Sequence, residues 1–267
     1  MPTTNAQQAI ENEDTPVIQI EGLVKQYAGA EIPSIKDFSL TCHAGEIVGL
    51  LGHNGAGKST TLKCLTGMLP FNSGSIKING YDITTSPVKA KFTFGFVSDK
   101  HDVFVKMTGL QYINFMADAY NVSKELRAER FEKYDELFGL GNRLKEPISN
   151  YSHGMRQKVC MMGSLMHNPK LWILDEPMIG LDPLTSEKVA NFMKEYAAEG
   201  NCILFSSHNV HSVQKICNRA VVINKGVKTD DFRFEDFDSM AGSLEEFFLA
   251  RTTENKYTDD SEQGEEN

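Results

Sequence analysis

Nine consecutive residues constrain the fold of this chain most strongly. They read GHNGAGKST, and Gly52 to Ser59 fit the pattern G-x-x-x-x-G-K-[ST]. The run EIVGLL before them is typical of a short buried strand, and STTLKCLTGML, which begins at Ser59, is typical of a helix. A glycine-rich loop between a strand and a helix predicts a phosphate-binding loop in an α/β domain.

The residue types in this loop suit a bound polyphosphate. The glycines let the backbone wrap around phosphate groups with its N–H groups facing the charge. Lys58 would reach the terminal phosphates, and the Ser59 hydroxyl would hold Mg²⁺. A glycine-rich turn with a chance lysine is the alternative, and the position between strand and helix argues against it. The predicted phosphate-binding residues are Gly52, His53, Asn54, Gly55, Ala56, Gly57, Lys58, Ser59 and Thr60.

Two further apolar runs end in polar residues. LWILDE ends in Asp175 and Glu176, and CILFSS is followed by His208. Asp175 suits a role at Mg²⁺ through water, Glu176 suits polarising an attacking water, and His208 suits a contact with the γ-phosphate. A surface carboxylate pair and a structural histidine are the alternatives for each feature alone. The phosphate loop in the same chain favours the functional interpretation.

A second possible anion site lies 94 residues beyond Lys58. In YSHGMRQ, Ser152 and Gly154 open a predicted helix whose free backbone N–H groups would point at an anion. A plain N-cap by Ser152 is the alternative, and it uses the same geometry.

Composition limits the class of protein. The chain has 267 residues, 40% hydrophobic residues and a net charge of −9, which argues against a broad nucleic-acid surface. Its five cysteines show no metal-binding spacing, so we expect reduced thiols. No apolar run approaches the roughly 18 to 20 residues that span a bilayer, so another polypeptide would have to cross any membrane.

Strand and helix patterns alternate along the chain. They predict an α/β core with a mostly parallel sheet, interrupted by a helical insertion at about 101–168. We expect one domain over 17–250. Residues 1–16 lack the features of a secretory signal, and we expect them to be disordered. Residues 251–267 are polar and mostly acidic, which predicts a disordered tail.

The order and spacing of these motifs over about 17–224 resemble the ATP-binding subunits of ABC transporters. GHNGAGKST corresponds to the Walker A loop, LWILDE to the Walker B strand, YSHGM to the signature sequence, GLD (180–182) to the D-loop, and His208 to the switch histidine. The resemblance implies a P-loop NTPase core with N-terminal antiparallel strands, ATP and Mg²⁺ as cofactors, and ATP hydrolysis. It also implies that Tyr27 stacks on adenine and that Asp182 contributes to the nucleotide site.

The same resemblance implies partners. Two ATP-binding subunits, identical or different, would dimerise head to tail, so that Ser152 and Gly154 serve an ATP bound mainly by the other subunit. A separate transmembrane permease subunit would hold the pair at the cytoplasmic face of the cell membrane. The YSxGMRQ signature and SLEEFF at 243–248 resemble bacterial ABC-2-type exporters. The alternative is a soluble ABC ATPase acting on nucleic acid or ribosomes, but long coiled coils, zinc-binding cysteines and a second cassette are missing, and we expect no nucleic-acid partner. An ATP-binding module with decayed hydrolysis is disfavoured by the intact site residues.

Two features concern coupling to the membrane subunit. Asp99 stands where related subunits usually have a glutamine that reaches Mg²⁺ and the attacking water, and it would therefore be a metal residue. Capping of the following turn is the alternative for Asp99. The segment around Leu110, Tyr112, Ile113, Phe115 and Met116 is apolar around much of its circumference. We expect most of these side chains to be buried and some to form the groove for the membrane subunit.

Overall fold

A six-stranded sheet forms the centre of the computed structural model, which describes residues 15–100, 104–237 and 244–253. Its strands lie in the order β10-β9-β3-β8-β7-β6, and β10 alone pairs antiparallel with its neighbour. A second, antiparallel sheet has the order β2-β1-β4-β5. The strands are β1 (Ile18–Lys25), β2 (Ile35–Cys42), β3 (Ile47–Leu51), β4 (Ser73–Ile78), β5 (Tyr81–Asp82), β6 (Phe94–Val97), β7 (Leu171–Asp175), β8 (Cys202–Ser207), β9 (Arg219–Asn224) and β10 (Val227–Arg233).

The helices cover the larger sheet and form the insertion. They are α1 (Lys58–Leu65), α2 (Pro87–Lys91), α3 (Gly109–Ala119), α4 (Lys124–Phe138), α5 (His153–Leu165), α6 (Pro183–Ala198), α7 (Val210–Ile216), α8 (Phe234–Phe237) and α9 (Leu244–Thr253). Within the described residues, no helix combines the length and the apolar character needed to cross a membrane.

The central strands β3, β7 and β8 of the larger sheet are buried on both faces, which explains why they are continuous apolar runs. Successive side chains of a strand point to opposite faces. In β3, Val48 and Leu50 therefore pack on the side of the antiparallel sheet and α1, whereas Ile47 and Leu51 pack on the side of the insertion and α6.

Side-chain caps define the starts of the insertion helices. Thr108 and Gln111 form a reciprocal capping box at α3, Ser123 caps α4, and Ser152 caps α5. In α3, Tyr112 and Ile113 are buried, Met116 is half-buried, and Leu110 and Phe115 are exposed. The helix therefore buries one stripe and leaves part of its apolar surface accessible.

The predicted α/β core, antiparallel strands and helical insertion are confirmed. The sequence patterns did not predict α2, α7, α9 or the edge strand β10. Helix α9 runs to Thr253, so residues 251–253, assigned to the tail from sequence, are helical. The disorder expected at the two ends of the chain concerns residues 1–14 and 254–267, which lie outside the described residues.

Candidate functional site

The carboxyl ends of the parallel strands bring most predicted site residues to one edge of the sheet. The glycine-rich loop follows β3, Asp175 and Glu176 lie at the end of β7, and His208 follows β8. Asp99 lies just beyond β6. Ligands in open α/β sheets bind at this edge, so the topology explains how segments far apart in sequence meet.

The glycine-rich loop opens onto a cleft of about 910 Å³. Gly57 precedes α1 with φ of 112°, and a Cβ there would lie 2.8 Å from Ile35 Cδ1. Gly55 has φ of 83° and has no atom within 4 Å of a notional Cβ. Both positions therefore require glycine because of their positive φ, and at Gly57 the Ser34 carbonyl oxygen, 3.0 Å from a notional Cβ, also leaves little room. The cleft is lined by Asn54, Gly55, Gly57, Lys58, Ser59, Thr60, Asp99 and Glu176 and, on its other side, by Ile32, Pro33, Ser34, Lys36, Asn224, Lys225, Val227 and Thr229.

Lys58 is buried at the base of the cleft, with 6% of its surface exposed. Its Nζ donates hydrogen bonds to the carbonyl oxygens of Gly52 at 2.7 Å and His53 at 3.2 Å. It also lies 3.4 Å from Glu176 Oε1. The loop thus folds back over its own lysine and holds a positive charge beside the cleft.

Asp175 is fully buried, and its carboxylate faces two hydroxyl groups. Ser59 donates to Oδ1 at 3.1 Å, and Ser206 Oγ also donates to Oδ1. Burial raises the pKa of the Asp175 carboxyl above its usual value, while these hydroxyls oppose the rise and the charge of Asp99 adds to it.

The second oxygen of the Asp175 carboxylate shows whether the residues here suit a magnesium ion. Asp175 Oδ2 is buried without a hydrogen-bond partner, and a buried carboxylate oxygen usually has one. Carboxylate and hydroxyl oxygens together with phosphates and water are the ligands that Mg²⁺ prefers. Ser59 and Asp175, at the mouth of the phosphate loop, therefore fit a nucleotide-bound magnesium ion.

Glu176 and His208 form a pair at the edge of the cleft. His208 Nδ1 lies 3.0 Å from Glu176 Oε1, the oxygen that also faces Lys58. Glu176 has φ of 52°, an uncommon conformation for a non-glycine residue, and its N–H donates to Ser206 Oγ at 3.1 Å. This backbone turn separates the directions of two consecutive carboxylates, leaving Asp175 buried and Glu176 beside the cleft.

Asp99 lines the cleft and also caps its own turn. Its Oδ1 accepts hydrogen bonds from Ser98 Oγ at 3.0 Å and Lys100 N at 2.9 Å. Both sequence interpretations, the metal residue and the cap, are therefore compatible with its position.

Tyr27 lies at the side of the loop. Its hydroxyl is 3.3 Å from Thr60 Oγ1, and 42% of its surface is exposed. Lys25 Nζ lies 5.2 Å from the centre of its ring. An accessible ring next to the phosphate loop suits the predicted stacking on a nucleotide base.

Ser152 and Gly154 do not line this cleft. Ser152 is exposed, and its Oγ accepts from Met155 N at 3.3 Å as the N-cap of α5. A Cβ on Gly154 would lie 2.2 Å from the carbonyl oxygen of Gly180. Gly154 is therefore also required by close packing within the chain, a reason that the sequence does not reveal.

Three contacts join the start of α5 to the segment before α6. Besides the Gly154–Gly180 approach, Gln157 Nε2 donates to Pro177 O at 2.9 Å, and Lys158 Nζ lies 3.0 Å from Asp182 Oδ2. Asp182 also caps α6 through Thr185, and these hydrogen bonds hold the pKa of its carboxyl well below the usual range. Asp182 lies away from the cleft lining and is bound within its own chain.

Sequence reasoning missed Ser206, Gln157 and Asn224. Ser206 Oγ donates a hydrogen bond to the Asp175 carboxylate and accepts one from the backbone N–H of Glu176, so it positions both residues. Its position two residues before His208 was the available signal. Gln157 and Asn224 act through contacts with residues 20 and 171 positions away, which no local pattern shows.

The comparisons with known proteins identify the family of the chain. Residues 35–179 match the family model of the ABC transporter. The chain is 36% identical over 212 residues to an uncharacterized ABC transporter ATP-binding protein, YdbJ, from Bacillus subtilis (strain 168), covering 79% of this chain and 67% of that one. It is 32% identical over 210 residues to the linearmycin resistance ATP-binding protein LnrL of the same organism, with coverage of 79% and 67%.

A solved structure supports the same assignment. The structure of an ATP-binding subunit of an ABC transporter matches with a TM-score of 0.82 and 29% identity, covering 88% of this chain and 98% of that one. The chain therefore belongs to the ABC transporter family, as an ATP-binding subunit with ATP hydrolase activity.

Proposed function

We propose that this chain powers an exporter by hydrolysing ATP between two ATP-binding subunits that drive a separate membrane subunit. The observation that carries the proposal is the arrangement of Lys58, Ser59, Asp175, Glu176 and His208 around one edge of the sheet. These groups combine anion binding, metal binding and a paired carboxylate and imidazole beside one cleft.

The chain's own residues divide the work of hydrolysis. Lys58, at the base of the cleft, binds the terminal phosphates. Ser59 and Asp175 would hold Mg²⁺, with Asp99 as a third oxygen ligand, and the ion would neutralise phosphate charge. Glu176 accepts a proton from the attacking water, and His208 orients the Glu176 carboxylate and contacts the γ-phosphate. Tyr27 stacks on the adenine.

The shared site is completed by a second ATP-binding subunit. Ser152 and His153, at the start of α5, are exposed and lie away from the chain's own cleft. A helix N-terminus carries a partial positive charge that favours phosphate. In a head-to-tail dimer, this end of α5 would contact the γ-phosphate held by the other subunit, with Asp182 and the residues joined to it close by.

An exposed apolar patch supports docking of a membrane subunit. It comprises Phe104, Val105, Leu110 and Phe115, which are all exposed. The rings of Phe104 and Phe115 are 5.0 Å apart. The patch begins at Phe104, close in sequence to Asp99, which lines the cleft. The proposed docking implies a position at the cytoplasmic face of the cell membrane.

The export direction is supported by the name of one relative. LnrL is named for linearmycin resistance, and resistance to a toxic compound is served by its removal from the cell. An acidic chain with a net charge of −9 also disfavours the alternative, a soluble ABC ATPase acting on nucleic acid or ribosomes.

Photo-cross-linking tests the proposal against its alternative. A photoreactive residue at Phe115 should capture an integral membrane protein in native membranes, and the same residue at Leu126 should not. The two positions are matched, since 42% of Phe115 and 43% of Leu126 are exposed on the same insertion. Capture of ribosomal protein or nucleic acid at Phe115, or equal capture of the membrane protein at both positions, would refute the proposed docking.

A further inference from the structure

The hairpin between β9 and β10 supports the outer side of the phosphate loop. Gly226 N donates to Ala56 O at 2.9 Å. A Cβ on Gly52 would lie 2.5 Å from Ile223 O, so the backbone of the loop rests directly against the end of β9. The loop is therefore held between α1 on one side and the 223–226 segment on the other.

The His53 side chain adds a polar link to this contact. Its Nε2 lies 2.9 Å from Asn224 Oδ1, and its Nδ1 lies 2.7 Å from the carbonyl oxygen of Asn54. Asn224 is buried, whereas His53 is exposed. A neutral ring can make both hydrogen bonds. Nδ1–H then donates to Asn54 O, and the Asn224 side-chain amide, rotated by 180° so that its NH₂ faces the ring, donates to Nε2. The ring thus joins the loop to the strand end in two directions.

This link acts on the atoms that hold Lys58. The carbonyl oxygens of Gly52 and His53 both accept from Lys58 Nζ. Gly52 lies against the backbone of Ile223, and the His53 ring is hydrogen-bonded to Asn224. His53 therefore bonds to Asn224 through its ring and to Lys58 through its backbone carbonyl oxygen.

We propose that His53 and Asn224 are a positioning pair that holds the phosphate loop in its ATP-binding shape. The inference rests on the proposed role of the loop and of Lys58. His53 acts through its side chain on the loop rather than on the nucleotide, in addition to the backbone contact expected of any loop residue. Because the pair organises a binding surface, its loss lowers affinity for ATP more than it lowers the rate of the chemical step.

The test measures ATP affinity and turnover in a double-mutant cycle. The variants are His53→Ala, Asn224→Ala, the double variant and His53→Phe, which keeps a ring without hydrogen bonds. Each single variant should raise the ATP KM, and the Kd measured by calorimetry in a Glu176→Gln background, about 10-fold, with kcat changed less than about twofold. The double variant should lose no more than either single variant, since the two residues act as a unit. His211→Ala, a change at an exposed histidine away from the loop, is the matched control.

The outcomes separate this inference from the proposed function. Unchanged KM and Kd, additive losses in the double variant, or wild-type affinity in His53→Phe would overturn the positioning pair. Additive losses would instead show that Asn224, which lines the cleft, contacts ATP by itself. Lys58→Ala is measured in parallel. Wild-type affinity and turnover in that variant would refute the phosphate-loop assignment itself, whereas an inactive Lys58→Ala with unaffected His53 variants would refute only the pair.

Discussion

Two consecutive carboxylates show how much a single backbone turn decides at the scale of the residue. Asp175 continues the alternation of β7 and is buried against Ser59 and Ser206. Glu176 has left-handed backbone angles, and its carboxylate faces Lys58 and His208. The same residue class therefore fits two roles, one at a metal ion and one at a water molecule, because the environments differ.

At the same scale, substitutions of Asp99 test whether its carboxylate binds Mg²⁺ or only caps its own turn. If Asp99 acts at Mg²⁺, Asp99→Ala should lower ATP turnover about 10-fold and weaken stimulation by the membrane subunit. Asp99→Gln should preserve activity and shift its Mg²⁺ dependence. Turnover at varied Mg²⁺ concentration is the measurement.

A matched variant separates charge from capping at this position. Asp99→Asn keeps an oxygen that accepts from Lys100 N but removes the charge. A shifted Mg²⁺ dependence in Asp99→Asn supports the metal role. Unchanged turnover, metal dependence and stimulation in Asp99→Ala would leave only the cap.

At the scale of elements, a histidine joins the helical insertion to the parallel sheet. His167, just beyond α5, stacks on Tyr120 at the end of α3 with ring centres 3.7 Å apart. Its Nε2 lies 3.1 Å from the carbonyl oxygen of Phe94 in β6, and its Nδ1 is buried without a hydrogen-bond partner. Burial lowers the pKa of His167 to about 4, and the charge of Arg130 contributes.

This junction predicts acid sensitivity of the fold. Since the pKa of His167 is lower in the folded chain than in the unfolded chain, the unfolded state binds more protons between about pH 4 and 6.5. Stability from His167 is therefore complete above pH 6.5 and is lost as the pH falls towards 4. Between pH 7 and pH 5 this should cost about 1 to 2 kcal/mol of the free energy of unfolding. Urea unfolding at the two pH values measures it.

A substitution isolates the contribution of this histidine. His167→Phe keeps the stacking on Tyr120 and removes the titrating group, so its stability should fall less between pH 7 and pH 5 than that of the wild type. His211→Phe, at an exposed position, should retain the wild-type pH dependence. An equal loss in His167→Phe and the wild type would contradict the assignment.

At the scale of the whole molecule, the cleft and the start of α5 lie apart. The start of α5 is instead joined to the segment before α6 through Gly154, Gln157 and Lys158. These contacts make the exposed end of α5 and Asp182 part of one supported surface. In the proposed dimer, this surface would contact the phosphate bound by the second subunit.

The proposed dimer has a direct test. Glu176→Gln should bind ATP, lose about 10²- to 10⁴-fold in hydrolysis, and accumulate as an ATP-dependent dimer, because the product state that separates the subunits is not reached. Adding Ser152→Arg should abolish the trapped dimer by placing bulk and charge at the interface. Size-exclusion chromatography with light scattering measures both.

The control for this test is an exposed residue elsewhere on the helical insertion. Leu126→Arg, on α4, should leave the trapped dimer intact. A Glu176→Gln protein that stays monomeric with ATP, alone and within the membrane complex, would refute the shared site.

The sequence by itself determined the parts whose geometry is local. A phosphate loop needs glycines and a lysine at fixed spacing between a strand and a helix, so GHNGAGKST and its neighbours predicted the loop, the fold class and the buried strands. Apolar runs likewise predicted β3, β7 and β8, because strands buried on both faces carry few polar residues. The short α2 and α7 and the alternately exposed β10 carry weaker patterns and were missed.

Only the tertiary structure decided which distant residues support the site. The His53–Asn224 link spans 171 positions along the chain, and the Ser206–Asp175 hydrogen bond spans 31. At position 154 only glycine fits, because the carbonyl oxygen of Gly180 occupies the place of a side chain. Each depends on where a second segment lies after folding. The physical reason is that hydrogen bonds and close packing act over a few ångströms in space, a distance that the separation along the chain does not specify.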